Sequence, residues 1–194
     1  MPPPAPALST DQRPVIACFG DSLTAGFGLE TGQSFPDLLQ TELNRDGYHY
    51  RVANLGVSGD TSQDGLARLS IALEEKPAIA IVELGANDGL RGEPVATTEN
   101  NLAQIIEAFR KAGARVVLAG ITLPPNYGPE YIRRFEAMYR DLAARYKLKL
   151  IPFLLEGVGG HEDLMQRDGL HPNASGARIV ARTVFQALQP MLRK

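Results

Sequence analysis

Residues 78–88 read AIAIVELGAND. Ala78 to Leu84 is a nearly unbroken apolar run, as expected of a strand covered on both faces of a parallel sheet. The run stops at Gly85, and the polar residues Asn87 and Asp88 follow at once. The same pattern stands upstream, where Val15-Ile16-Ala17-Cys18-Phe19 ends at Gly20 and is followed by Asp21 and Ser22. In a parallel sheet the carboxyl ends of strands are where ligands bind, so these polar segments are the places to look for chemistry.

Outward from these two runs, strand-like and helix-like segments alternate. A helix is predicted from Phe35 to Asn44, with Pro36 in its first turn, Leu38, Leu39 and Leu43 on one face and Gly47 past its end. Tyr50 to Asn54 reads as a strand. Thr61 to Glu74 reads as one helix, with Thr61 and Asp64 spaced as in a capping box and Pro77 preventing continuation. Helices follow at Thr98–Ala112, Pro129–Tyr146 and Asn173–Leu192, and strands at Arg115–Ala119 and Leu148–Phe153. Five strands alternating with five helices predict an α/β sandwich around a parallel sheet, with helices on both faces.

The 194 residues fit one domain, read as 14–194, after a Pro/Ala-rich flexible tail at residues 1–13. Apolar residues make up 44% and charged residues 22%, the balance of a globular chain. A net charge of -2 without a basic run argues against nucleic acid as a partner. No apolar run is long enough for a membrane span. The single cysteine, Cys18, lies inside a strand-like run and reads as a core residue. Met1 to Ala7 lacks the basic start and apolar centre of a signal peptide. A cytoplasmic chain fits this start, and so does a periplasmic or secreted one whose export signal has been removed.

Acyl transfer by serine needs a base beside the hydroxyl, a carboxylate to orient that base, and fixed N–H donors for the oxyanion. Ser22 opens a loop at a strand end, where its own N–H can face a cleft. Gly56 can bring an N–H close to a ligand, and Asn87 can offer a side-chain amide. Asp168 and His171 stand three apart on a turn before the last helix. Each also fits a plain structural role: Ser22 or Asp168 as a cap, Gly56 as a turn glycine, Asn87 with Asp88 as a turn closure, His171 as a surface residue. His49 and His161 have no matching carboxylate upstream and read as structural or exposed. The loop after the first strand has no phosphate-binding glycine pattern, and no His/Asp/Glu cluster has metal-ligand spacing. Neither a cofactor nor a metal is expected. A non-catalytic binding module would be expected to lack one of the catalytic residues, and none is missing.

Taken together and in order, these blocks resemble the GDSL family of the SGNH hydrolases. Gly20-Asp21-Ser22-Leu23 is the G-D-S-L block, Gly56 the block glycine, Gly85 to Asp88 the G-x-N-D block and Asp168 to His171 the D-x-x-H block. The stretches Leu84 to Gly92, Leu123 to Gly128 and Asp168 to Asn173 are most similar to the bacterial thioesterase I, arylesterase and lysophospholipase group. The resemblance implies a three-layer, flavodoxin-like fold with strand order 2-1-3-4-5. It implies a triad of Ser22, His171 and Asp168, and an oxyanion hole of Ser22, Gly56 and Asn87. Members of this group are often exported.

The expected activity is hydrolysis of carboxylic esters and thioesters of small molecules. The alternative on the same fold is a carbohydrate O-acetylesterase. A sugar site favours aromatic platforms, yet the chain has no Trp, and the loops near the site carry Phe27, Leu29, Leu90, Leu123, Pro124, Pro125 and Tyr127. An apolar acyl group is therefore expected, with Leu90, Pro124 and Tyr127 against it. Gly89 and Gly92 bracket Leu90 and Arg91, which predicts a freely moving segment that adjusts to acyl length.

Overall fold

The computed structural model describes residues 11–194; the Pro/Ala-rich tail lies outside the described residues as far as residue 10. The apolar runs form strands β1 (Val15–Gly20), β2 (Arg51–Gly56), β3 (Ile79–Glu83), β4 (Arg115–Ala119) and β5 (Lys149–Ile151). All are parallel, in the order β2-β1-β3-β4-β5. Every residue of β1 and β3 is buried, as central strands covered on both faces must be. Pro152 has no N–H to give to a ladder, so β5 stops before the predicted Phe153.

The helices are α1 (Ser22–Ala25), α2 (Phe35–Arg45), α3 (Ser62–Ala67), α4 (Leu69–Glu74), α5 (Ala86–Leu90), α6 (Val95–Lys111), α7 (Pro129–Tyr146) and α8 (Ala174–Leu188). α2 and α8 pack together over one face of the sheet, while α3, α6 and α7 pack in succession over the other. The apolar core runs through both interfaces, from Ile16 and Phe19 through Ile81 and Phe109 to Val184 and Leu188. Cys18 is a buried member of it. No helix among the described residues is long and apolar enough to cross a membrane.

Three departures from the predicted elements bear on the site. Ser22 and Asn87 stand on short helices directly after their strands, not in open loops. The helix predicted over 61–74 starts on the expected Thr61–Asp64 capping box but breaks at Arg68 into α3 and α4. The last helix ends at Leu188, and a single 3-10 turn through Pro190 follows.

The register fixes where the polar ends meet. Gly20 pairs with Gly56 on one side and with Glu83 on the other. The segments that follow β1, β2 and β3 therefore leave the sheet side by side. The segment bearing His171 is set by α8. Asn173 Oδ1 accepts from Ser175 N–H at 2.9 Å and Gly176 N–H at 3.1 Å, and its Nδ2 donates to Asp163 O at 2.8 Å. Replacing Asn173 with Ala is expected to cost about 1–2 kcal/mol in a denaturant titration, the usual range for a lost N-cap. Asn173→Asp, which keeps the acceptor and loses the donors, should fall between. An unchanged midpoint for the Ala variant would show that this cap contributes nothing.

Candidate active site

Ser22 is the first residue of α1, whose N-cap is Asp21. Its hydroxyl lies 2.9 Å from His171 Nε2, and His171 Nδ1 lies 2.6 Å from Asp168 Oδ2. A carboxylate can only accept, so the Nδ1 proton faces Asp168 and the Nε2 lone pair faces the serine. Asp168 Oδ1 also accepts from the N–H groups of Leu170 at 2.9 Å and His171 at 3.0 Å. Burial works to raise the Asp168 carboxyl, but hydrogen bonds from the His171 ring and from these two N–H groups outweigh it and hold it below its ordinary value.

The loop that carries this pair is tightly closed. Gln166 N–H donates to His171 O at 2.7 Å, Met165 and Pro172 form an antiparallel bridge, and Gln166 Nε2 donates to Pro172 O and Phe27 O. The last bond ties the loop to the segment after α1. Phe27 lays its ring against the imidazole, with centroids 4.7 Å apart, and is itself 51% exposed.

Ser22, Asn87 and His171 open onto a cavity of about 720 Å³. Its wall is largely apolar, with Leu90, Ile121, Leu123, Pro124, Phe153 and Leu155 among the lining residues. Leu90 and Pro124 are thus part of the cavity wall. Tyr127 does not line the cavity; its hydroxyl donates to Leu90 O at 2.7 Å, so it braces the wall from behind.

Hydrogen bonds hold the segment 88–92 on both sides of Leu90. Asp88 is buried and accepts from Ser62 N–H at 2.8 Å, from Ser62 Oγ and from Thr98 Oγ1. This anchors α5 to α3 and α6. Arg91 Nη2 donates to Gly59 O at 3.0 Å.

Gly56 is also corrected. Its N–H is spent on Asn54 Oδ1 at 3.0 Å, and it does not line the cavity. A Cβ there would lie 2.2 Å from Ala25 N, so this glycine lets the end of β2 press against the backbone of α1. Gly59, in the loop beyond β2, does line the cavity, with φ +89°, and no acceptor among the described residues takes its N–H. The signal in the sequence was position: the last residue of a strand has its polar groups committed, whereas the loop beyond it does not. Asn87 is half-buried; its Nδ2 donates to Asp60 O at 2.8 Å and makes a long contact of 3.4 Å with Asp21 Oδ2. His49 and His161 are both exposed.

With this geometry in view, the likeness to known proteins is specific. The sequence pattern of the GDSL-like Lipase/Acylhydrolase family matches residues 18–179. Esterase TesA of Pseudomonas aeruginosa is 50% identical over 174 residues, 89% of this chain and 87% of that protein. Thioesterase 1/protease 1/lysophospholipase L1 of Escherichia coli K12 is 40% identical over 178 residues, 91% of this chain and 84% of that protein. A crystal structure of a protein called TesA superimposes with a TM-score of 0.89 at 48% identity, covering 92% of this chain and 99% of that one.

The contact beneath Gly56 makes a test of its role. Gly56→Ala is expected to destabilise the fold by about 1–3 kcal/mol through overpacking against α1, read by chemical denaturation. A variant as stable as the parent would mean that β2 and α1 do not need this close approach.

Proposed function

The chain belongs to the GDSL-like lipase/acylhydrolase family, and from that premise we propose that it hydrolyses carboxylic esters and thioesters of apolar acyl groups through an acyl-enzyme on Ser22. The observation that carries this reading is the continuous chain of hydrogen bonds from Ser22 Oγ through the His171 ring to Asp168. The relatives named esterase and thioesterase support the substrate class.

In this reading His171 Nε2 takes the Ser22 proton as Oγ attacks the acyl carbonyl carbon. Asp168 keeps the ring in the accepting tautomer and stabilises the imidazolium that results. The carbonyl oxygen becomes an oxyanion facing the N–H groups of Ser22 and Gly59 and the amide of Asn87, which shares with it the hydrogen on the long 3.4 Å contact to Asp21 Oδ2. Ser22 stands in the first turn of α1, where an N–H has no helical acceptor. The Gly59 N–H is likewise free, and Arg91 on the carbonyl of the same residue steadies it. Such donors act on charge that develops only in the transition state. Collapse of the intermediate expels the alcohol or thiol, which receives the proton from His171. Water then repeats the sequence: His171 takes its proton, the hydroxide attacks the acyl carbon, and the serine oxygen leaves with that proton.

The apolar wall supports an acyl chain as the group held in the cavity, since burying methylenes there is favourable and a sugar would find few polar partners. Tyr127 acts on that wall indirectly, by holding the Leu90 carbonyl.

Ser22→Ala should lower kcat by about 10⁴–10⁶ while the fold persists, and a serine-directed organophosphonate should label Ser22 in the parent. A Ser22→Ala enzyme with more than a tenth of the parental kcat would sink the assignment. A second measurement addresses the acyl group. In a series of nitrophenyl esters from acetyl to dodecanoyl, Leu90→Ala should lose about 1–3 kcal/mol of transition-state stabilisation on long chains and almost nothing on acetyl. A uniform loss along the series, or a parent that prefers an acetylated sugar to every longer ester, would overturn the acyl-chain reading.

A further inference from the structure

Two carboxyl groups that take no step in this chemistry lie beneath the nucleophile. Asp21 is 0% exposed and Glu83 is 1% exposed. Glu83 is the last residue of β3 and pairs in register with Gly20. Its Oε2 accepts from Thr24 Oγ1 at 2.7 Å and from Asp21 N–H at 3.3 Å. Its Oε1 is buried and finds no donor among the described residues. Asp21 faces the working groups on both sides: Oδ1 accepts from Leu23 N–H at 3.0 Å, capping the helix that presents Ser22, and Oδ2 faces Asn87 Nδ2 at 3.4 Å.

Two ionised carboxylates do not coexist in such a place; one of the pair must carry a proton. Counting partners shows which. Each Asp21 oxygen already faces an N–H donor, so the ionised form of Asp21 is satisfied. Glu83 Oε1 faces none, and as an acceptor it would remain a buried unpaired atom. As an O–H it becomes a donor, and the neighbouring Asp21 carboxylate, whose charge raises Glu83, is the acceptor at hand. The energetics agree. Burial pushes Asp21 only to about 6, against the pull of Leu23 N–H, Glu83 and His171. Burial and the Asp21 charge push Glu83 well above its ordinary value.

The other ionisable groups around the pair do not replace this proton. Arg68, at the break between α3 and α4, spends its guanidinium on Asp60 Oδ2, Leu55 O and Gly20 O. From α7, the Tyr139 hydroxyl donates to Leu84 O. Cys18 of β1 is buried, and its thiol is raised by that burial. Asp88 of α5 and Asp60 add only negative charge, and His171 donates its ring proton to Asp168.

We propose that Glu83 is a positioning residue: as a neutral acid it donates from Oε1 to the Asp21 carboxylate, while its Oε2 holds Thr24 and Asp21 N–H, and so it fixes the carboxylate that caps the Ser22 helix and faces Asn87. The inference rests on the reading of Ser22 and Asn87 given above. Ionising Glu83 sets two negative charges against each other, displaces Asp21 and loosens both contacts.

The experiment compares Glu83→Gln and Glu83→Leu with the parent. A glutamine amide keeps both a donor and an acceptor, so Glu83→Gln should keep kcat close to the parent. Glu83→Leu should lower kcat by about 10²-fold with KM little changed, the scale of loss for a slightly misplaced reacting group. Organophosphonate labelling of its Ser22 should slow by the same factor. The parent should lose kcat at alkaline pH as Glu83 ionises, and Glu83→Gln should not show that limb. The infrared carbonyl band of a protonated carboxylic acid should be present in the folded parent near neutral pH and absent from Glu83→Gln, a readout that stands whether or not Glu83→Leu folds. A glutamine variant as impaired as the leucine one, an alkaline limb unchanged in Glu83→Gln, or no acid band in the parent would each overturn the proposal. Failure of the organophosphonate to label Ser22 in the parent would instead overturn the reading of the nucleophile, and the infrared band would still report on Glu83.

Discussion

The guanidinium of Arg68 lies where the ends of β1 and β2 meet the loop that follows β2. Nη2 donates to Gly20 O at the end of β1, Nη1 to Leu55 O near the end of β2, and Nε to the Asp60 carboxylate in the loop beyond Gly59. Its planar face rests 4.4 Å from the centre of the Phe19 ring. A rigid fork with five donors suits this task in a way that a lysine does not. The segments bearing Ser22 and Gly59 are thereby held at a fixed spacing before any substrate arrives. The same demand breaks the helix that would otherwise run from 61 to 74. An arginine that must reach inward to two strand carbonyls occupies a non-helical residue, with φ -104° and ψ 12°.

Around this point the working groups are steadied by polar bonds that lie behind the cavity wall. Asp88, Ser62, Thr98 and Asn101 form a buried network joining α5 to α3 and α6. It fixes the helix on which Asn87 stands. Burying such groups is tolerable only when each finds a partner, and a fully partnered network is rigid. The site thus has an apolar chamber in front, where a chain can slide among similar surfaces, and a hydrogen-bonded framework behind, where nothing can move far. Preorganised donors stabilise a transition state because they do not have to reorient when charge appears.

How much of this was readable beforehand follows from how local each cause is. The run from Ala78 to Leu84 and the glycine that stops it are local, and so are the capping box at Thr61 and the spacing of Asp168 and His171. They located the strands, their order through the family resemblance, and the three residues joined from Ser22 to Asp168. The glycine beside the cavity was misplaced because Gly56 and Gly59 look alike on paper. Only the folded chain shows that one packs on Ala25 while the other faces the cavity. Tyr127 lies outside the lining for a similarly distant cause: its hydroxyl reaches back to a carbonyl 37 positions away. The anchor of the segment at Gly89 was hidden in the sequence, since Asp88 meets Ser62 26 positions upstream. Glu83 passed unnoticed inside a strand, its partner Asp21 being 62 positions distant.

The bond between Ser22 and His171 spans 149 positions, and α2 and α8, which flank those residues in sequence, lie against each other. With the roles proposed for Ser22 and His171, the serine is translated 149 positions before its base and stays unarmed until that base has been made. A nascent chain stalled anywhere before residue 171, or a fragment cut from the finished protein on the near side of it, carries a hydroxyl of ordinary reactivity. Long-range closure of this kind makes hydrolytic competence a report on chain integrity.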